Sequence, residues 1–120
     1  MPNHQGSLDQ VFHALADPSR REIVERLAGG PASVSELARP LEMSLPAVLQ
    51  HLQVLESSGV VVSEKTGRVR TCRLAPAALR AAETWLGAQR TAWERRLDRL
   101  GDVLASHGSG EPAAEGEDRP

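Results

Sequence analysis

Aromatic residues are scarce in this sequence: its 120 residues include one Phe, two Trp and no Tyr. A core must therefore be built from Leu, Val and Ala, and Leu and Ala favour helices over sheets. The longest run of Val, Leu and Ile covers residues 60–62, whereas a membrane span needs ~20 apolar residues. Residues 1–10 are polar and lack the apolar stretch of a secretory signal. These absences predict a mainly helical, cytoplasmic protein with no membrane partner.

Cysteine is nearly absent as well. The single Cys72 excludes an internal disulfide framework and a zinc site built from several cysteines. The four histidines lack the i,i+3 or i,i+4 spacing that lets metal ligands converge. We therefore predict no metal and no cofactor. Cys72 is interpreted as a small hydrophobic residue beneath a hairpin, and a redox role for it stays open.

The charge is close to balanced but unevenly distributed. The chain has 14 basic and 16 acidic residues, a net charge of −2. Residues 106–120 hold four acidic residues against one basic residue, a net charge of −3, which leaves +1 for residues 1–105. Because residues 106–120 are rich in Gly, Pro, Ala and Glu, they are predicted to be a disordered acidic tail. Residues 1–6 are predicted to be an N-terminal tail, and residues 7–105 a single domain.

Capping residues and prolines in the sequence mark where a series of helices begins and ends. Capping residues precede the first four: Ser7 with Gln10, Asp17 before Pro18, Ser33 with Glu36, and Ser44. The third and fourth helices are predicted over residues 34–39 and 45–58, with a proline at position 40 that ends or bends the third. Residues 60–65 and 68–74 are predicted as two strands of a hairpin, and a last helix follows over residues 76–105. This order of five helices and a two-stranded wing is that of a winged helix-turn-helix.

The helix over residues 45–58 has the pattern of a DNA-reading helix. On a helical wheel of ~100° per residue, Val48, Leu52 and Leu55 face the core. The opposite side carries Pro46, Gln50 and Gln53, with Ala47 and Leu49 nearer its edges. Glutamine amides both donate and accept hydrogen bonds at base edges, and the N-terminal half of the helix has no acidic residue to repel DNA. The alternative is a plain amphipathic helix with solvated glutamines.

The predicted hairpin adds positive charge directly after that helix. Lys65, Arg68, Arg70 and Arg73 fall within nine residues that contain no acidic residue. Such side chains contact phosphates and hold a recognition helix in register. Strand alternation places Arg70 on the same side as Cys72, which leaves open that it faces the body of the protein. A solvated hairpin with charged edges is the alternative.

Four stretches of the sequence resemble the ArsR/SmtB family of bacterial repressors: LADPSRREIVERL, VSELA, MSLPAVLQHLQVLESSGVV and GRVRTCRL, between residues 15 and 74. The resemblance implies a homodimer on operator DNA that is released by an effector. It also implies that Ser44, Pro46, Leu49 and Gln50 face the groove, where Leu49 replaces a small polar residue. Metal-sensing members carry cysteines in the helix over residues 34–39 or histidines on the last helix, and this chain has neither there.

The last predicted helix carries an apolar stripe of 26 residues, ~39 Å at 1.5 Å per residue. A stripe of this length exceeds what a small domain covers, so we expect a second copy of the chain to pack on it. Ordinary packing of Trp93 against the first helix is compatible with this. The predicted dimer interface comprises residues of the first and last helices: Leu8, Val11, Phe12, Leu79, Leu86, Trp93, Leu97 and Leu100.

The sequence thus predicts a dimeric, sequence-specific regulator of transcription that represses its own operon and responds to an unknown effector. Its predicted DNA contacts are Ser44, Pro46, Ala47, Leu49, Gln50, Gln53, Lys65, Arg68 and Arg70. A winged-helix module that binds an acidic protein instead of DNA is the rival hypothesis. An enzyme is not expected, because no nucleophile elbow, phosphate loop or paired carboxylates are found.

Overall fold

The computed structural model describes residues 6–107, so most of the predicted tails, residues 1–6 and 106–120, lies outside the described residues. Within them the chain forms five helices and three strands, which confirms a mainly helical winged helix-turn-helix. The elements in chain order are α1 (Gly6–Leu15), α2 (Pro18–Ala28), β1 (Ala32–Ser33), α3 (Val34–Leu41), α4 (Leu45–Ser57), β2 (Val61–Thr66), β3 (Val69–Leu74) and α5 (Pro76–His107).

Three of the four predicted caps begin their helices. A carboxylate oxygen of Asp17 accepts from the backbone N–H of Arg20, three residues into α2. At α3, Ser33 and Glu36 each accept from the other's backbone N–H, a complete capping box. The cap at Ser7 is wrong, because α1 already begins at Gly6 and Ser7 lies inside its first turn. The first helix begins at residue 6, and the last helix ends at residue 107.

The turn between α3 and α4 contains two backbone features that the sequence pattern did not resolve. Pro40 lies within α3 instead of ending it, and only Leu41 follows in the helix. A proline this close to the helix end removes one hydrogen bond and clashes with one preceding carbonyl. Glu42 then takes the left-handed conformation (φ 56°, ψ 39°) and ends the helix. This left-handed residue changes the direction of the chain, and Ser44, two residues later, is the N-cap of α4.

The three strands form one antiparallel sheet in the order β1-β3-β2. The long pair is the predicted hairpin, in which Val61 lies opposite Leu74 and Thr66 opposite Val69. Gly67, the first of the two loop residues, has a positive φ of 62°, as the first loop residue of a tight type II′ hairpin requires. The short β1, which was not predicted, pairs Ala32 with Cys72. The centre of the sheet is therefore β3, and Cys72 sits between two neighbours.

The described residues divide into two compact units, one ending at Thr84 and one beginning at Trp85. In the first unit, the predicted core residues Val48, Leu52 and Leu55 are completely buried. Cys72 is also completely buried, and burial raises the pKa of its thiol above the ordinary value. It packs as the predicted small hydrophobic residue. No helix within residues 6–107 is long and apolar enough to cross a membrane.

Candidate nucleic-acid interface

The outer face of α4 is open to solvent along its N-terminal half. Gln50 and Gln53 are exposed, and Leu49 beside them is 40% exposed. Ser44 and Pro46 are exposed at the helix start, while Ala47 is half-buried. The hydroxyl of Ser44 accepts from the backbone N–H of Ala47 at 3.3 Å, so this residue caps the helix in addition to any contact with DNA. Pro46 is accommodated because the first N–H groups of a helix have no partner within it.

A groove separates this face of α4 from the wing, which is formed by β2 and β3. Leu49 lines the groove from α4, and Ser33 and Ser35 line it from the start of α3. Lys65 and Arg68 line the opposite wall and are exposed. Arg68 is the second residue of the hairpin loop, at the tip of the wing. The groove thus has polar groups on its helix side and cations on its wing side, the arrangement that suits a sugar-phosphate backbone.

Arg70 is held by contacts within the chain. Its guanidinium donates from Nη2 to both carboxylate oxygens of Glu56, at 2.8 and 2.6 Å, and from Nε to the hydroxyl of Ser63 at 3.1 Å. The hydroxyl of Ser63 donates to Glu56 at 2.6 Å, which closes a triangle between α4 and the wing. The side chains of Arg70 and Glu56 are 36% and 26% exposed. These contacts hold Arg70 between α4 and the wing, and its phosphate contact stays a prediction.

Arg20 joins three helices behind the outer face of α4. It donates from Nε to the carbonyl of Ala14 at 2.7 Å and from Nη2 to that of His13 at 3.2 Å, so it satisfies two carbonyls in the last turn of α1. Its Nη1 lies 3.2 Å from Nδ1 of His51 on α4. These contacts fix α1 and the start of α2 against α4. No sequence motif signals them, because Arg20 and His51 are 31 positions apart.

Known proteins are similar to this chain in both sequence and fold. A family model described as a helix-turn-helix domain matches residues 15–64. The HTH-type transcriptional regulator Rv2034 of Mycobacterium tuberculosis is 44% identical over 102 residues, which cover 85% of this chain and 92% of that protein. The crystal structure of an ArsR family transcriptional regulator is 48% identical, with a TM-score of 0.71, and the match covers 73% of this chain and 97% of that chain.

The chain belongs to the ArsR family of helix-turn-helix transcriptional regulators. It is thus a DNA-binding regulator of transcription, as the sequence predicted. The fold also matches a homodimeric winged helix-turn-helix DNA-binding domain of Mycobacterium bovis, Mb0332, with a TM-score of 0.57 at 22% identity, over 82% of this chain and 93% of that chain. In this ArsR-family chain, α3 and α4 are the helix-turn-helix and α4 is the recognition helix.

Not every member of the predicted dimer set is available to a second copy of this ArsR-family chain. Val11 is 1% exposed and belongs to the core of the first unit, which removes it from the set. Leu8 and Leu79 are half-buried against the same core, and Phe12 is 36% exposed. The remaining members, on the second unit, are between 46% and 59% exposed: Leu86, Trp93, Leu97 and Leu100.

The exposed apolar residues of α5 include three that were not among the predicted interface residues. Trp85, Val103 and Leu104 are 46%, 52% and 61% exposed and were not in the predicted set. Leu104 continues the three- and four-residue steps of the stripe, so the sequence period signals it. Across residues 6–107, no three His, Cys, Asp or Glu side chains are grouped to hold a metal ion.

Proposed function

We propose that this chain is a homodimeric repressor that binds an operator in its own promoter and is released by an effector, in the cytoplasm of a bacterial cell. The observation that carries the proposal is the acid-free outer face of α4, bordered by a groove whose far wall holds Lys65 and Arg68. A repressor of this kind acts by occupying DNA that the transcription machinery needs.

Base recognition is assigned to α4. Gln50 is exposed in the N-terminal half of the helix, the part that reaches base edges when such a helix enters the major groove. Its amide donates and accepts at once, which suits adenine. Leu49, 40% exposed, offers an apolar surface for a thymine methyl group. Gln53 lies one turn further on the same face.

Backbone binding is assigned to the wing. Lys65 and Arg68 are exposed cations in the groove wall, whereas the guanidinium of Arg70 is paired with the carboxylate of Glu56. Phosphate contacts of this kind fix the register of the recognition helix but carry no sequence information themselves.

Dimerisation is assigned to the exposed face of α5. Leu86, Trp93, Leu97 and Leu100 repeat at helical steps and leave an apolar surface that a second α5 would cover. The solved M. bovis domain, which shares the fold, is described as a homodimer. Two recognition helices related by a two-fold axis would read two half-sites about one helical turn, ~34 Å, apart.

A salt titration of DNA binding tests the proposal. The duplexes are the DNA immediately upstream of the gene and a scrambled duplex of the same length and composition. We expect tighter binding to the upstream duplex and a steep salt dependence, because phosphate contacts release counterions. Arg68→Ala should weaken binding to both duplexes and lower the salt slope by about one per protomer. Arg80→Ala, which removes an exposed arginine outside the groove, is the matched control.

The outcomes separate the repressor from its rival. Equal, weak binding to both duplexes would contradict sequence-specific recognition. An unchanged salt slope in Arg68→Ala would contradict the role of the wing and favour a module that binds an acidic protein. A reporter gene behind the upstream DNA then tests repression, with expression expected to rise when Gln50 is replaced by Ala.

A further inference from the structure

A second depression borders α4 on the side away from the wing. It lies between α1, the start of α2 and α4, and it encloses about 500 Å³. All but one of its lining residues have polar side chains, although apolar atoms make up more of the lining surface. The lining comes from all three helices: Gln10 and His13 from α1, Arg20 from α2, and Gln50, His51, Gln53, Val54 and Ser57 from α4. We call it the α1–α4 cleft. Its size falls within the range of small-molecule sites.

The fixed groups of the α1–α4 cleft are hydrogen-bond donors. A guanidinium only donates, so the ring nitrogen Nδ1 of His51 that lies 3.2 Å from Arg20 must be the acceptor. The proton of the neutral ring is then on Nε2, which leaves His51 a donor on its other side. Arg20 has five N–H groups and uses one each on Ala14, His13 and His51. Two of its N–H groups remain for a ligand.

The charge around the cleft favours an anion. None of the residues that line it is acidic, although the chain contains 16 acidic residues. The carboxylate of Asp17 lies close enough to Arg20 and His51 to interact with them electrostatically. It accepts from the backbone N–H of Arg20 as the cap of α2 and does not line the cleft. Arg20 carries a permanent positive charge, and the imidazole of His13 adds a hydrogen-bonding group to the lining.

We propose that the α1–α4 cleft is an oxyanion-binding site, in which Arg20, His13 and His51 hold a phosphate or carboxylate group and the amides of Gln10, Gln50 and Gln53 complete its hydrogen bonds. The oxyanion has two possible sources, a free small molecule and a phosphate of the DNA backbone. Gln50 links the site to DNA because it also lies on the exposed outer face of α4 that we propose reads bases, and this link alone depends on the proposed function. A free oxyanion at Gln50 competes with the operator, whereas a backbone phosphate at the same place adds to its affinity.

Inorganic phosphate is the probe for the site itself, in the absence of DNA. The protein is titrated at constant ionic strength against chloride while the ring protons of its histidines are followed by NMR. We expect saturable shifts for His13 and His51, with a dissociation constant of about millimolar order, and none for His107. Shifts that do not saturate, or that chloride reproduces, overturn the proposal.

Variants on α1 test the site without altering the recognition helix. His13→Gln should raise the dissociation constant of phosphate about two- to fivefold, as expected for one exposed contact with the anion. His107→Gln, the same exchange on α5, should leave it unchanged. Gln10→Glu places a carboxylate in the cleft and should raise the constant at least about tenfold, whereas Gln10→Ala should have a much smaller effect. Equal effects of Gln10→Glu and Gln10→Ala overturn an anion site.

Duplex DNA then identifies the source of the oxyanion. A random duplex that shifts the His13 and His51 signals, and whose affinity falls in His13→Gln but not in His107→Gln, assigns the site to a backbone phosphate. Two results together assign the site to a free small molecule. The duplex binds without shifting the His13 and His51 signals, and added phosphate at constant ionic strength abolishes operator binding. A protein that binds no DNA contradicts the proposed function, while the phosphate titration still decides the site.

Discussion

Gln50 and Arg68 border the same surface but differ in what their side chains can distinguish. An amide distinguishes bases by their donors and acceptors, while a guanidinium at a phosphate does not depend on sequence. Gln50→Ala should therefore cost about 1–3 kcal/mol of binding free energy on the upstream duplex and little on a scrambled one. Fluorescence anisotropy of labelled duplexes measures both. A similar loss on the two duplexes would remove Gln50 from the base-reading residues.

Arg70 allows a test of positioning against direct contact. Arg70→Gln leaves Glu56 as an unpaired negative charge beside the interface, so binding to both duplexes should weaken by about 1 kcal/mol. Adding Glu56→Gln removes that charge and lets two amides hydrogen-bond, and the double variant should recover most of the lost affinity. Binding of the two single variants and the double variant, compared as a double-mutant cycle, gives the coupling. A double variant as weak as Arg70→Gln would show that Arg70 contacts DNA itself.

At the scale of single residues, the sequence predicts side chains whose environment is set locally. Val48, Leu52 and Leu55 follow from the helical period, and their burial is confirmed. The pairing of Arg70 with Glu56 joins residues 14 positions apart and depends on how the wing folds back onto α4. Strand alternation indicated only that Arg70 could face the body. Only the tertiary structure identifies Glu56 as the partner of Arg70.

The helix caps make an element-scale prediction about pH. The backbone N–H of Arg20, and then the charge of its guanidinium, hold the pKa of Asp17 below its ordinary value of 3.8. A lowered folded-state pKa stabilises the protein above the unfolded pKa, and this contribution is lost as the pH falls through the folded value. Asp17→Ser keeps a capping oxygen but removes the titration. The free energy of unfolding should thus fall less in Asp17→Ser than in the unaltered chain on going from neutral pH to about pH 3.

Urea denaturation followed by circular dichroism at both pH values measures this difference. Glu36, whose pKa is also lowered by its capping contact with Ser33, titrates in both proteins and cancels in the comparison. Identical losses of stability in Asp17→Ser and the unaltered chain would show that the Asp17 cap contributes nothing to the acid sensitivity.

Elements that form from their own residues were predictable, and those that depend on a distant partner were not. The hairpin and α4 lie within one or two residues of their predicted bounds, because periodicity, capping and glycine act over short distances. The strand β1 has two residues and exists only through pairing of Ala32 and Ser33 with β3, some 40 positions later. Pro40 was expected to end or bend α3 and is instead included in its last turn.

For the whole molecule, the exposed face of α5 predicts self-association. Trp93 is 59% exposed on one chain, and a buried aromatic anchor typically contributes at least ~2 kcal/mol to an interface. Trp93→Ala should therefore raise the dimer dissociation constant at least about tenfold. Arg95→Ala, on the opposite side of the helix, is the control and should change it little. Sedimentation velocity over a range of concentrations measures both, and a monomeric unaltered chain at micromolar concentration would contradict the dimer.

The position of the tryptophans has a spectroscopic consequence. Trp85 and Trp93 are the two tryptophans of the chain, both lie on α5, and the chain has no tyrosine. Intrinsic emission therefore originates almost entirely from α5, while α1 to α4 and the wing contribute one weakly emitting phenylalanine. A blue shift with rising protein concentration would record burial at the α5 face without any attached dye. A label on the DNA would report the other surface in the same cuvette, so that assembly and operator binding can be followed as two separate optical signals.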